Sequence, residues 1–330
     1  MKTLKTLMIA AVALIVTSQS YSQALATDLS IKFINGAILP YPIAYSNCVT
    51  DGRYLYSVAG YRGLGLGSQV LRYDAGSNQW RLLANLKSEI IQTGAAYVPA
   101  TNKIYVMGGV AGAYKDATVN RHILSVDLKT GAVEQLNVEN PMPSIKTALV
   151  EWDNKIYLFG GSRDAKRTTN EMYCFDPQTQ KFTRLANVPD YLETSAAVVN
   201  GVIYTFGGYD NFTKRQSDVI YAYDIKNNKW SKAGKLPETV SEDNVAVRGN
   251  EVFVVGSHDN EDFIGKFDTR TNQFTRLKSN LERRKSAGVG MIYDRLVVFG
   301  GTTRFQGPSR LFTLQTTQVA DLRSFVAMNK

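Results

Sequence analysis

The sequence predicts an all-β chain folded as a six-bladed β-propeller with four-stranded antiparallel blades, and three observations carry that prediction. An apolar strand ending in a glycine pair or its remnant recurs six times, closing at Gly60, Gly109, Gly161, Gly208, Ser257 and Gly301. The intervals are 49, 52, 47, 49 and 44 residues, a period that signals a repeat architecture. No segment of about 10 to 15 residues between these strands carries a 3.6-residue apolar pattern, which argues against a parallel α/β fold.

Each unit then reads alike. The glycine-ended strand is the second of its blade, placed where a Cβ would obstruct a bend or a close backbone approach. A polar loop follows, then an alternating third strand ending in an apolar residue plus Asp: Tyr73-Asp74, Val126-Asp127, Phe175-Asp176, Tyr223-Asp224 and Phe267-Asp268. In the sixth unit, RLFTLQTTQVADL, the Asp is expected to be missing. A turn leads to a fourth strand with a large apolar residue, Trp80, Val133, Phe182, Trp230 or Phe274, expected to fill the space between blades. Small alternating strands such as TGAAYV, KTALVE, TSAAVV and NVAVRG precede the glycine strands and complete four strands per period. One such sheet cannot bury both faces, whereas six packed radially can. Closure is expected from residues 29–34 as the outer strand of the sixth blade, with residues 319–326 as the competing choice.

On these residues, the glycine pairs followed at regular distance by Trp80, Phe182, Trp230 and Phe274, the chain resembles the Kelch-repeat family over nearly its whole length. The resemblance implies the propeller fold. It leaves function open, because the family includes enzymes, carbohydrate-related proteins and interaction modules.

Residues 1–26 read as an export signal. Lys2 and Lys5 precede an apolar run at 7–16, and small residues at Ser20, Ser22, Ala24 and Ala26 place cleavage between Ser22 and Thr27. Residues 27–330 are then one propeller domain. The run is too short to span a bilayer, and no later segment approaches ~18 apolar residues, so a soluble periplasmic or extracellular monomer is expected. The formal charge of +9 becomes +7 without Lys2 and Lys5, which solubility explains as well as an anionic partner does. Cys48 and Cys174 fall in repeats one and three, which a ring holds apart, so two separate thiols are expected rather than a disulfide. With two His in the chain, no metal centre and no cofactor are expected. Export and the lack of a recognition element argue against nucleic acid.

Two groups of residues are candidates for a site. The post-glycine loops are the most polar segments and are expected to share one face. They carry Arg62, Lys115, Arg121, Arg163, Arg167, Arg215 and Arg304, a basic set suited to the carboxylate or sulfate of an acidic glycan. The starts of the innermost strands are expected to crowd the channel mouth, bringing Tyr45, Thr93, Lys146, Glu193, Asp243 and Lys285 together, with Gln92, Glu242 and Arg284 beside them. The expected function is a noncatalytic module for an acidic glycan or sugar, or for a protein partner.

The alternative is a sugar mutarotase or epimerase, implied by a distant resemblance to exported N-acetylneuraminate epimerases of the Kelch type. Glu193, Glu242 or Asp243 would then serve as acid and base, and Arg284, Lys285 or Lys146 would hold the sugar carboxylate. This chain lacks the long insertion that those enzymes carry between blades. A copper radical oxidase is not expected, since His122 and His258 fall in distant blades and Cys174 lies in a strand beside Tyr173.

Overall fold

The computed structural model describes residues 29–112, 118–164, 167–304, 311–323 and 325, and in it the six repeats become six four-stranded antiparallel sheets. Blade one is built, from the channel outwards, of Asn47–Thr50, Leu55–Tyr61, Leu66–Asp74 and Gln79–Asn85. Blade two follows with Gly94–Val98, Lys103–Met107, His122–Asp127 and Val133–Glu139. Blades three and four run from Ala148–Trp152 out to Lys181–Arg184, and from Glu193–Val199 out to Lys229–Lys235. Blade five runs from Asn244–Arg248 out to Gln273–Arg276. The proposed signal, residues 1–26, lies outside the described residues.

Blade six draws on both ends of the sequence. Gly288–Ile292, Arg295–Phe299 and Thr317–Asp321 are its first three strands, and Ile34–Asn35 is the outermost, pairing Ile34 with Val319 and Asn35 with Gln318. The outer strand thus falls on the last residue of the expected 29–34 segment and the residue after it. Val319 occupies the third strand, not the competing outer position. Trp80 of blade one bonds across this seam, its Nε1 donating to Thr317 Oγ1 at 3.0 Å.

One expectation about blade six is corrected. Its third strand does end in the repeat's Asp: Asp321 lies opposite Arg295, as Asp74 and its counterparts lie at the ends of theirs. Each of these carboxylates receives the backbone N–H two or three residues on, as from Gly76 to Asp74 and from Arg323 to Asp321. The Asp is therefore a turn former whose ionised state those N–H groups favour, and the longer loop before the strand concealed it in the sequence.

The blades pack through large apolar side chains on facing sheets. Trp80 sits 4.8 Å, centroid to centroid, from Phe299 of blade six, and Trp230 sits 5.8 Å from Phe159 of blade three. Phe267 of blade five meets Phe206 of blade four at 5.8 Å. Buried clusters fill the spaces between consecutive blades, for example Val58, Val70, Val106 and Leu124 between one and two. The glycine pairs let the next blade's entry segment pass directly over them. Gly109, Gly161, Gly208 and Gly301 donate N–H groups to the carbonyls of Ser144, Leu192, Val240 and Ile43 at 2.7 to 3.0 Å. At Gly300, with φ +59, a Cβ would lie 2.2 Å from the Ile43 carbonyl oxygen, which is why no larger residue serves there.

Candidate functional site

The entry segment of each blade fixes the channel mouth. One residue of it pairs with the residue just after that blade's glycine pair: Ala44 with Tyr61, Ile91 with Val110, Ile145 with Ser162, Glu193 with Tyr209 and Lys285 with Thr302. In blade five, Ser241 accepts from His258 N at 2.8 Å. This pairing puts the post-glycine loops and the mouth on one face.

The next position turns the chain into its inner strand, and in five blades it is a non-glycine residue in the left-handed region. Tyr45, Gln92, Lys146, Glu242 and Ser286 have φ between 51 and 57. Each such residue costs on the order of 1 kcal/mol, so its backbone needs compensating bonds. They come from a ring that runs around the channel. Ser286 N donates to Glu242 O, Tyr45 N to Ser286 O, Gln92 N to Tyr45 O and Lys146 N to Gln92 O, at 2.8 to 3.3 Å.

Blade four is one residue short. Residues 192–195 make the passage that takes five residues elsewhere, as in 144–148 or 240–244, and Glu193 enters its strand directly, with a register shift before Ser195. The expected mouth register is corrected in blade six. Of the expected set, Tyr45, Thr93, Lys146, Glu193 and Asp243 line the channel, together with Gln92 and Glu242, while Ser286 lines it in place of Lys285. Thr93 Oγ1 bonds the Met107 carbonyl at 2.9 Å within its blade.

Side chains close a charge network over this backbone. Lys146 Nζ lies 3.0 Å from Glu193 Oε2 and 3.3 Å from Glu242 Oε1, and Lys285 Nζ lies 3.2 Å from Glu242 Oε2. Ser286 Oγ donates to Glu242 Oε2 at 3.1 Å, and Ser162 Oγ to Glu193 Oε1 at 2.7 Å. Asn211, from the blade-four loop, also donates to the Glu193 carboxylate. Burial works against the Lys146 charge, but the two carboxylates more than compensate and its pKa is raised. Burial likewise opposes the Glu242 charge, and Lys146, Lys285 and His258 overcome it, lowering the pKa. Among the described residues Asp243 makes no ion pair. Its carboxyl accepts from Ser195 Oγ, and burial pushes its pKa up to about 7.

Arg284 is not a mouth residue. Its guanidinium is fully buried between blades five and six, where Nη2 meets Glu282 Oε2 at 2.7 Å and Gln318 Oε1 at 2.9 Å, and Nη1 meets the Gly300 carbonyl at 3.0 Å. Burial lowers its pKa to about 10, against the pull of Glu282. Its role is to tie strands together, which its sequence position beside Lys285 did not distinguish.

The loop cations are largely engaged with neighbours. Arg62 lies over the Tyr41 ring at 4.1 Å, Arg167 pairs with Asp164 at 2.7 Å and Arg215 with Asp190 at 3.3 Å. Arg163 pairs with Glu171, Arg121 approaches Glu139 at 3.8 Å, and Arg304 Nη2 lies 3.5 Å from His258 Nε2. Lys115 lies outside the described residues. The channel beneath has a volume of about 1030 Å³, and its wall includes the carboxylates of Asp51, Glu151, Glu193, Glu242, Asp243 and Asp259 against Lys146 and His258. The cavity itself thus leans acidic, opposite to the loop composition. Cys48 and Cys174 are both free thiols, and His122 and His258 lie in blades two and five. Among the described residues, no group of three His, Cys, Asp or Glu is placed to hold a metal ion, and no helix is long and apolar enough to cross a membrane.

Sequence reasoning missed Ser162, Ser195, Asn211 and Ser286. The last had a readable signal: entry segments aligned from the strand start leave blade four one residue short.

Radial four-stranded sheets, crossed glycine pairs and an axial channel define a β-propeller built of Kelch repeats. Residues 94–301 match the KLHDC2/KLHL20/DRC7 Kelch-repeats domain, and the chain belongs to the Kelch-repeat family. Kelch-like protein 23 of Homo sapiens is 28% identical over 199 residues, 59% of this chain and 34% of that protein. Kelch-like protein 25 of Xenopus tropicalis is 26% identical over 235 residues, 69% of this chain and 39% of that protein. The chain thus spans between a third and two fifths of the length of these curated relatives. The solved structure of YjhT superposes with a TM-score of 0.72 at 15% identity, covering 85% of this chain and 95% of that one, a likeness of fold.

Proposed function

We propose that this chain is a noncatalytic binding module that holds a protein partner on its post-glycine face, around the channel mouth. One observation carries the reading: large apolar side chains stand exposed on that face among ions already paired with one another. Leu64 is fully exposed in the blade-one loop, Phe212 is 78% exposed beside the mouth residue Asn211, and Tyr191 is 51% exposed on the blade-four entry. Apolar and aromatic groups of this kind supply the anchors of protein interfaces. An acidic glycan is less well matched, because Lys146 and most loop cations already face carboxylates.

A photo-crosslinking residue placed at Phe212 tests this, with Tyr293, exposed on the opposite face, as control. The expected result is a discrete protein adduct from position 212 and none from 293. Equal labelling from both, together with retention of sulfated or uronic glycans on an array, contradicts the reading.

A second reading rests on Asp243, whose carboxyl sits in the channel wall with a pKa raised to about 7, where proton exchange with a sugar ring is efficient. Magnetic-resonance measurement of anomeric exchange in N-acetylneuraminate and neutral sugars tests it. Acceleration that Asp243→Asn removes supports a mutarotase, and no acceleration rules it out. We also propose export: expression of the whole chain in a Gram-negative host is expected to release a periplasmic protein beginning between residues 23 and 27. An intact N-terminus in the cytosol contradicts that.

A further inference from the structure

The backbone ring at the mouth has one gap, and the gap has a defined polarity. Around the ring, each N–H donates to the carbonyl of the preceding blade, from Ser286 on Glu242 to Lys146 on Gln92. Blade four has no residue at this position. The ring therefore ends on one side at the Lys146 carbonyl and on the other at the Glu242 N–H. Among the described residues, no group bonds either one. At the other positions one residue makes the link, its N–H donating to the preceding carbonyl and its own carbonyl accepting the next N–H, and a ligand amide would offer the same donor and acceptor, its N–H to Lys146 O and its carbonyl to Glu242 N.

We propose that this gap is a subsite for a secondary amide of a ligand, which takes the place of the sixth ring residue. The proposal rests on the reading of the mouth as the binding site and names the group that enters it. Three features fit. The gap opens on the channel of about 1030 Å³, which has room for the rest of the ligand. The side walls are held in place: Glu193 is 7% exposed and fixed by Ser162, Asn211 and Lys146, and Glu242 is fixed by Lys285 and Ser286. The two open backbone groups are one donor and one acceptor, which a secondary amide satisfies together and a tertiary amide or an ester does not. A peptide bond of a polypeptide partner and the acetamido group of an amino sugar present the same atoms, so the chemistry is shared between two sources.

Amide-resolved magnetic resonance of the whole propeller tests the subsite with N-methylacetamide and N,N-dimethylacetamide as probes. N-methylacetamide is expected to move the Glu242 amide resonance and saturate, while the dimethyl compound binds about tenfold more weakly, as loss of one hydrogen bond implies. A glycine inserted between Glu193 and Thr194 restores the sixth ring residue and is expected to abolish the response. Equal responses to the two probes, or an undiminished response in the insertion variant, overturn the proposal, and the probe pair alone decides if that variant does not fold. Comparing a capped glycine dipeptide with N-acetylglucosamine then assigns the source: the one that moves Glu242 at lower concentration is the natural class. If no amide probe binds while position 212 still captures a protein, the subsite falls and the module reading stands.

Discussion

Asp243 and Arg284 are buried neighbours of the mouth network, Asp243 bonded to Ser195 and Arg284 paired with Glu282. The Asp243 carboxyl holds its proton in the native state up to about pH 7, whereas an unfolded Asp releases it near pH ~4. Between those values the native state binds more protons than the unfolded one, so stability is full below about pH 4 and falls as pH rises towards 7. Asp243→Asn keeps the shape and removes the titration. Its melting temperature is expected to exceed that of the parent at pH 8 by the equivalent of about 4 kcal/mol, and to match it at pH 4. Parallel melting curves across that range would contradict the assignment. Arg284→Met strips the Gly300 and Thr316 carbonyls, Gln318 and Glu282 of a buried donor, and is expected to cost about 2–4 kcal/mol in denaturant unfolding. A cost below about 1 kcal/mol would mean that the site repacks without it.

At the scale of strands and entry segments, the crossing of each glycine pair by the next blade is the recurring joint. Gly300→Ala forces a Cβ against the Ile43 carbonyl at a left-handed φ, and is expected to destabilise by about 2–4 kcal/mol. Gly249→Ala is the control, also left-handed but with nothing within 4 Å of the added Cβ, and should lose only about 1 kcal/mol. Equal losses at the two would show that the crossing contact is not what the glycine serves. These joints were legible in the sequence because glycine pairs and alternating apolar strands are local patterns with a fixed period. The mouth register was less legible. Lys285 differs from the channel-lining Ser286 by one position, and one position decides which way a side chain points. Nothing local marks Gln92 or Lys146 as left-handed, since neither is a glycine, Asn or Asp. Asp321 escaped notice for a related reason, because the longer sixth loop displaced it from the expected spacing.

For the whole molecule, the six units are alike in fold but not equivalent at the axis. Five entry segments contribute a backbone link and blade four contributes a carboxylate, so the mouth is asymmetric where the repeat pattern alone would make it sixfold. The loop cations counted from the sequence suggested a basic face, yet pairing within and between loops consumes most of that charge, and the channel wall leans acidic. Such pairing is set by tertiary proximity, as in Arg215 with Asp190 or Lys146 with Glu242, and composition does not reveal it. Amide hydrogen exchange of the native protein tests the asymmetric mouth most directly. The account predicts strong, similar protection at Tyr45, Gln92, Lys146 and Ser286, whose N–H groups lie in the ring, and exchange at least about tenfold faster at Glu242, whose N–H borders the gap. Protection of Glu242 equal to that of the other four would contradict it, showing that the ring is closed and blade four leaves no opening.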